Sequence, residues 1–278
     1  MDSQCVSPTV IAGFPAIEAS PAQTSAGRPP LLFVHGAFVD HNSFRPWLEF
    51  FAARGWRGVA AARRGRAGIG PARAKGLSVA DYVDDTLKVI AALGDRPIVV
   101  GHSLGGLIAQ QIAALGKAEA IVLLCPAPAA KLPAQKVALS TYLPMMPRIL
   151  AGQPILPSAK GCATIALNRM PKEACPILHA QLVPESGKVY RELIFGSCKV
   201  DFSKISCPAM VIGGAEDRIV APALVEWTAG KLGVAAEIRE RHAHWLLAEP
   251  GWEMIAGSVA DFLAEHWPQQ RTSLSRIA

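Results

Sequence analysis

The β-branched run Ile98-Val99-Val100 passes straight into Gly101-His102-Ser103-Leu104-Gly105-Gly106, and from there into a helix-compatible segment, residues 104 to 115. A strand that becomes a helix within so few residues leaves no space for side chains at 101 and 105. A Cβ there would collide with neighbouring backbone, so glycine stands at both positions. The residue at the apex, Ser103, is expected in a strained conformation that projects its oxygen out of the sheet. The helix that starts directly behind it offers free N–H groups and a partial positive charge where an oxyanion would form. The plain alternative is a tight turn that happens to carry a surface serine, and the strand-turn-helix setting favours the nucleophile.

Around this turn the sequence alternates. Residues 18 to 30 are small, polar and Pro-rich and read as a loop leading into a first strong strand, Leu31 to His35, closed by Gly36. Phe44, Trp47, Leu48 and Phe51 follow at helical spacing, with Asn42 or Ser43 as N-cap and Gly55 just past the end. Trp56 to Ala62 reads as a strand. Ser78-Val79-Ala80-Asp81 has the form of a capping box, opening a helix with Val79, Val83, Leu87 and Ile90 on one face and Gly94 at its end. Pro97 to Gly101 and Ala120 to Leu124 are further apolar strands. After an interruption the rhythm resumes with Ala209 to Ile212 as strand, Ala221 to Leu232 as helix and Ala235 to Arg239 as strand. A last helix turns Trp252, Ile255, Val259 and Phe262 inward, and the tail from Pro268 is polar. Strands apolar on both faces that alternate with helices predict an α/β fold, with a mostly parallel central sheet and helices on both faces. The interruption, from about Pro126 to Val200, carries ten prolines within segments that stay apolar, and it reads as an inserted, mostly helical cap. The expected organisation is a core of residues 1–126 and 201–278 with a cap or lid of residues 127–200.

A chain of 278 residues, 51% hydrophobic and 18% charged, can bury one large core and does not suit disorder. Its formal charge of +6 raises the question of nucleic acid. Much of the charge clusters as Arg54, Arg57, Arg63, Arg64, Arg66, Arg73 and Lys75 around a Gly-rich stretch, with no aromatic platform and no nucleic-acid motif. The expectation is a solvated loop, the lesser alternative being contact with an acidic substrate. Six cysteines (Cys5, Cys125, Cys162, Cys175, Cys198, Cys207) show neither CxxC pairing nor metal-ligand spacing, and no leader-like segment is evident, so a reduced, cytoplasmic protein is expected. Bridges between Cys162 and Cys175 or between Cys198 and Cys207 stay open. No run approaches the ~18 apolar residues of a membrane span. The expected partner is a small-molecule substrate, with no nucleic acid, no cofactor and no metal; monomer and dimer both stay open.

The stretch Ile98 to Gly106 resembles the nucleophile elbow of the α/β-hydrolase family, and the resemblance extends roughly from Leu31 to Trp267. That likeness implies a helical cap inserted after the sixth strand, and a nucleophile, an acid and a histidine in that chain order. Asp217, in the loop after Ala209 to Ile212, matches the family's acid. Glu216 is the alternative, Asp201 a weaker one because it precedes the strand, and a turn residue capping the next helix is the bland reading of Asp217. In Arg241-His242-Ala243-His244-Trp245-Leu246-Leu247-Ala248-Glu249-Pro250, His244 fits the family's histidine better than His242, since an apolar stretch ending in Glu-Pro follows it. His102 is the variable residue of the elbow, His41, His179 and His266 suit surface or cap roles, and His35 suits a buried structural one. The resemblance places the oxyanion hole at the N–H groups of Ala37, or else Phe38, and of Leu104. The chain departs from the family's Asp-x-Arg-Gly-x-Gly-x-Ser turn, having Ala62-Arg63-Arg64-Gly65-Arg66-Ala67-Gly68 instead.

The implied chemistry is cofactor-independent hydrolysis of a carboxylic ester through an acyl-enzyme on Ser103. An apolar acyl or aryl substrate would lie against Phe38, His102, Tyr142, Leu143, Met145, Met146 and Ile149. The same residues also suit a thioesterase, lactonase, amidase or carbon–carbon bond hydrolase. Serine at 103 argues against the aspartate-dependent epoxide hydrolases and dehalogenases. A small-molecule receptor with slow or no turnover is the reading from a different class.

Overall fold

In the computed structural model, which describes residues 6–22, 27–66 and 74–268, an eight-stranded sheet carries the core. Its first two strands, β1 (Ser7–Ile11) and β2 (Phe14–Ala19), form an antiparallel hairpin in which Ile11 pairs with Phe14. The two-residue turn puts Ala12 at φ 52° and Gly13 at φ 82°, the doubly left-handed geometry that suits the twist of a hairpin. The sequence pattern predicts no strands here, and Glu18 and Ala19, expected in a loop, end β2.

β3 (Leu31–Val34), β4 (Gly58–Ala61), β5 (Ile98–His102) and β6 (Ala120–Leu124) are buried along their whole length, which explains their unbroken apolar runs. Between them lie α1 (Arg45–Ala52), α2 (Val79–Leu93) and α3 (Leu104–Ala114). The capping box of α2 is formed in both directions: Ser78 Oγ accepts from Asp81 N and Asp81 accepts from Ser78 N. Asn42 and Ser43 do not cap α1. Asp40 accepts from the N–H of Asn42 at 2.9 Å, and a short 3-10 turn, His41–Phe44, leads into the helix. His41 is buried there and not at the surface.

Between β6 and the next core strand the chain forms α4 (Leu139–Tyr142), α5 (Met146–Leu150), β7 (Pro154–Ile155), α6 (Ala159–Ile165), α7 (Ala174–Ala180), β8 (Glu185–Ser186) and α8 (Gly187–Phe195). Its helices are short because proline recurs too often for longer ones. β7 and β8 make a separate antiparallel pair, and Met145, Ile149, Ile155 and Tyr190 form a small core of their own. The chain then returns with β9 (Ala209–Gly214), α9 (Pro222–Leu232), β10 (Ala236–Arg239) and α10 (Trp252–His266). The sheet order is β1-β2-β4-β3-β5-β6-β9-β10, parallel from β4 onward. Residues of α1 and α10 bury one face, with Phe44, Trp47, Leu48, Phe51, Ile255, Val259 and Leu263; Phe262 and Trp252 pack beside them half-buried. Residues of α2, α3 and α9 bury the other.

The basic cluster around residue 63 is not a solvated loop. Arg63 and Arg66 are 3% and 1% exposed. Arg66 pairs with the buried Glu185 of β8 and donates to the carbonyl of Pro184; Tyr82 Oη donates to the same Glu185 at 2.6 Å. Arg64 meets Asp81, Asp84 and Asp85 on α2. Arg57 pairs with Glu18 at 2.7 Å, Arg54 and Lys75 lie at the surface, and Arg73, with the Ala67-Gly68 end of the turn, lies outside the described residues. Cys125, Cys162, Cys175, Cys198 and Cys207 are all unbridged, and Cys5 lies outside the described residues. Among the described residues, no helix is long and apolar enough to cross a membrane.

Candidate active site

The loops that leave β3, β5, β6 and β9 all emerge at the C-terminal edge of the parallel strands, where open α/β sheets place their sites. At the end of β5 the chain turns so tightly that a Cβ on Gly101 would come within 2.3 Å of Gly105 O, and one on Gly105 within 1.9 Å of Val34 O. Ser103 is held at φ 54°, ψ −117°, a conformation that costs on the order of 1–3 kcal/mol and is maintained by the surrounding packing. Its N–H donates to Leu124 O, and its carbonyl accepts from Gly106, Leu107 and Ala127.

Ser103 Oγ lies 2.9 Å from His244 Nε2, and His244 Nδ1 lies 2.8 Å from Asp217 Oδ2. Asp217 is itself fixed, because its other oxygen accepts from the N–H groups of Ile219 at 2.7 Å and Val220 at 2.9 Å. The acid loop and the histidine loop are tied together by Glu216 N–H donating to His242 O at 2.9 Å, with Gly214 too close to Ala243 O to admit a Cβ. The side chain of Glu216 is exposed and lies 3.6 Å from Arg169, and Asp201 caps a short 3-10 turn at the surface, so neither approaches His244. His242 is turned away from the serine, its Nδ1 3.2 Å from Glu249 Oε2. Glu249, which in the sequence marks only the Glu-Pro end of the stretch after His244, has a place in the site. It is fully buried and accepts from the N–H groups of Ala243 at 2.7 Å and Trp245 at 3.0 Å, bracketing His244 on both sides. Its sequence signal was its place at the end of an apolar stretch after His244; its burial was not legible there.

His102 is buried, and its Nε2 lies 2.8 Å from the carbonyl of His244, which accepts only if that nitrogen carries the proton. Burial, reinforced by the nearby His244, lowers its pKa to about 3. Burial likewise holds His35 well below the usual imidazole range, its Nδ1 3.0 Å from Gly36 O. His179 Nε2 meets Pro157 O at 3.0 Å, and His266 is exposed on α10. Cys125, just past β6, is held at φ 43° with its thiol pushed well above the ordinary value, by burial first and then by Asp217. Among the described residues, Cys125, Asp217 and His244 form the one group whose donor atoms lie within 4.8 Å of one another. Asp217 and His244 are already hydrogen-bonded to each other.

A cavity of about 510 Å³ opens over Ser103 and His244. Ala37, Phe38, His102, Tyr142 and Met145 line it; Leu143, Met146 and Ile149 do not. Leu143 and Met146 border a smaller adjacent hollow, and Ile149 is fully buried in the small core of the β6 to β9 segment. Residues the sequence reading omitted fill most of the apolar wall, among them Ile165, Leu167, Leu178, Leu182 and Ile219. Above the elbow sits the loop after β3, where a Cβ on Gly36 would lie 3.3 Å from Ser103 Cβ. Among the described residues, the N–H groups of Ala37 and Leu104 donate to no backbone carbonyl outside regular secondary structure. Phe38, at φ 62°, turns its carbonyl to the N–H of Val183 at 2.7 Å.

A sequence model described as "Alpha/beta hydrolase family" matches residues 31–254. The chain belongs to the alpha/beta hydrolase family. Within it, a protein of Mycobacterium phage D29 provisionally named a non-heme haloperoxidase is 39% identical over 88 residues, which spans only 31% of each chain. The monoacylglycerol lipase of Paleococcus ferrophilus superposes with a TM-score of 0.69 at 19% identity, covering 91% of this chain and 99% of that one. The enol-lactonase of Burkholderia xenovorans LB400 gives 0.66 at 18% identity, covering 93% and 100%. At such identities the two structures share the alpha/beta hydrolase fold with this chain and show nothing finer.

Proposed function

We propose that the protein is a serine hydrolase that cleaves uncharged carboxylic esters with an apolar acyl or aryl part. Ser103 is the nucleophile, His244 the general base and Asp217 the acid that orients the imidazole. The observation that carries this reading is the unbroken run of hydrogen bonds from Ser103 Oγ through His244 to Asp217, opening onto a cavity.

A serine hydroxyl is a weak nucleophile at neutral pH. His244 Nε2 takes its proton as the oxygen attacks, and the carboxylate of Asp217 keeps Nδ1 protonated and the ring aligned. Attack converts the ester carbonyl into an oxyanion, for which the N–H groups of Ala37 and Leu104 are the donors, each worth about 2.7–4 kcal/mol in sites of this kind. Collapse expels the alcohol with the proton from His244. Water, activated by the same imidazole, then releases the acid.

Substrate charge follows from the cavity wall, which among the described residues carries no Lys or Arg and has Asp40 as its one carboxylate. An anionic substrate would find no counter-charge there, whereas the volume falls in the range of drug-sized ligands and the wall is mainly apolar. The test is turnover of a short p-nitrophenyl ester. Sustained cycling, lost in Ser103→Ala, supports the enzyme; a single stoichiometric burst without cycling would instead favour a receptor that retains the triad.

A further inference from the structure

The buried arginine that the sequence reading assigned to a solvated loop lies directly behind the loop that follows β3. Arg63 Nη1 donates to His35 O at 2.6 Å and Nη2 to Gly36 O at 3.0 Å, so one guanidinium spans two successive peptide carbonyls. These are its only hydrogen-bond acceptors among the described residues; its Nε is buried without a partner, and its guanidinium carbon lies 4.8 Å from the centre of the Tyr82 ring. Stability alone does not account for placing a cation here. Among the described residues Arg63 hydrogen-bonds to no carboxylate, and burial together with Arg66 lowers its pKa to about 10, an effect that Glu185 and Asp85 only partly offset from a distance. A buried cation with no carboxylate in hydrogen-bond contact is expensive to keep.

The geometry of the peptide shows what the arrangement achieves. In a planar trans peptide the C=O and the N–H point in opposite directions. The carbonyl of Gly36 and the N–H of Ala37 belong to one such unit, so a donor that holds Gly36 O on the far side fixes the Ala37 N–H on the cavity side. His35 Nδ1, 3.0 Å from the same carbonyl oxygen, adds a second donor. The peptide borders the elbow, since a Cβ on Gly36 would lie 2.9 Å from His102 Nδ1 and 3.3 Å from Ser103 Cβ, and Ala37 itself lines the cavity.

We propose that Arg63 is the positioning residue of the oxyanion hole: its fork on the carbonyls of His35 and Gly36 aims the N–H of Ala37 at the oxygen that becomes negative when Ser103 attacks. The inference rests on the serine-hydrolase reading and adds to it a residue that touches no substrate. Arg63 is also linked to the segment between β6 and β9. Tyr82 carries Arg63 on its ring face and donates its hydroxyl to Glu185 of β8, and Val183 N–H holds the carbonyl of Phe38, two residues past Gly36.

The test compares wild type with Arg63→Met, which removes both donors, and Arg63→Lys, which keeps the charge but cannot fork onto two carbonyls. Steady-state kinetics on a p-nitrophenyl ester are expected to show kcat lowered about 10²-fold in both variants with KM nearly unchanged, the size of effect seen when one oxyanion donor is lost. Affinity for a trifluoromethyl ketone, whose adduct carries the oxyanion, should fall in parallel, while affinity for the product carboxylic acid should hold. A purely structural role would move melting temperature without this split. Full kcat and full trifluoromethyl ketone affinity in folded Arg63→Lys overturns the proposal. A crystal structure of Arg63→Lys bears on the same point whether or not the protein turns over ester. A reoriented Gly36–Ala37 peptide supports the inference, and a peptide unmoved from its wild-type orientation sinks it. Absence of Ser103-dependent turnover in wild type would instead count against the hydrolase reading.

Discussion

Ser103 sits where backbone strain, a helix N-terminus and an imidazole converge, so the sharpest expectations concern single side chains. Ser103→Ala should leave the fold intact and lower turnover by at least about 10³-fold, measured as kcat/KM on an activated ester. Asp217→Asn should be severe and Glu216→Gln mild, because only Asp217 reaches His244; the reverse ranking in kcat would move the acid role to the exposed neighbour. His102 offers a separate test by pH. Its folded pKa of about 3 lies below the ordinary imidazole value, so below pH ~6.5 the unfolded chain takes up a proton that the folded protein refuses. Stability linked to this residue is therefore complete above pH ~6.5 and declines as the pH falls toward 3, by about 2–3 kcal/mol at pH 4.5. Denaturant melts of wild type and His102→Gln should diverge over that window; parallel curves would mean that His102 protonates freely in the folded state.

At the scale of elements, what links the β6 to β9 segment to the core is buried charge as well as apolar contact. Glu185 on β8 receives Arg66 and Tyr82, and Glu192 on α8 receives the N–H of Val79 at the start of α2 at 2.8 Å. Glu185→Gln would leave Arg66 buried and unpaired, a loss expected to cost about 3–5 kcal/mol in chemical denaturation. A change below ~1 kcal/mol would mean that water or another group reaches Arg66. This coupling was invisible in the sequence, because Arg66 and Glu185 are 119 residues apart and a charged residue carries no mark of its distant partner. Cavity residues in the same segment were misplaced for a related reason. Leu143 lies on a three-residue 3-10 turn and Met146 and Ile149 on the five-residue helix that follows it, elements too short for a helical period to tell inward from outward. Where an element was long and capped, as in α2, the sequence was legible down to the Ser78 and Asp81 bonds.

Over the whole molecule, the parallel strands were readable because burial on both faces demands unbroken apolar runs, and the elbow because only glycine fits beside it. The N-terminal hairpin was not. Its strands carry Pro8 and Pro15, and Ala12-Gly13 is a weaker form of the usual Asn-Gly turn. The positions of Asp217 and His244 came from resemblance rather than from pattern, since nothing local distinguishes Asp217 from any turn aspartate. The net charge also resides elsewhere than expected. Residues 127–200 hold nine Lys or Arg against three Asp or Glu, a surplus equal to the +6 of the whole chain, whereas the arginines near residue 63 are largely paired or buried. With Asp217 and His244 bound to one another, incubation with a chelator should leave ester turnover unchanged; its loss would show that a metal takes part.

The central claim, that the oxygen of Ser103 forms a covalent bond to substrate, is tested most directly by mass spectrometry after reaction with an organophosphate such as diethyl p-nitrophenyl phosphate. The predicted result is one phosphoryl group per chain, located on the peptide that contains Ser103 and acquired in step with the loss of turnover. Inactivation with the label on another residue, or full turnover in a chain labelled at Ser103, would contradict it.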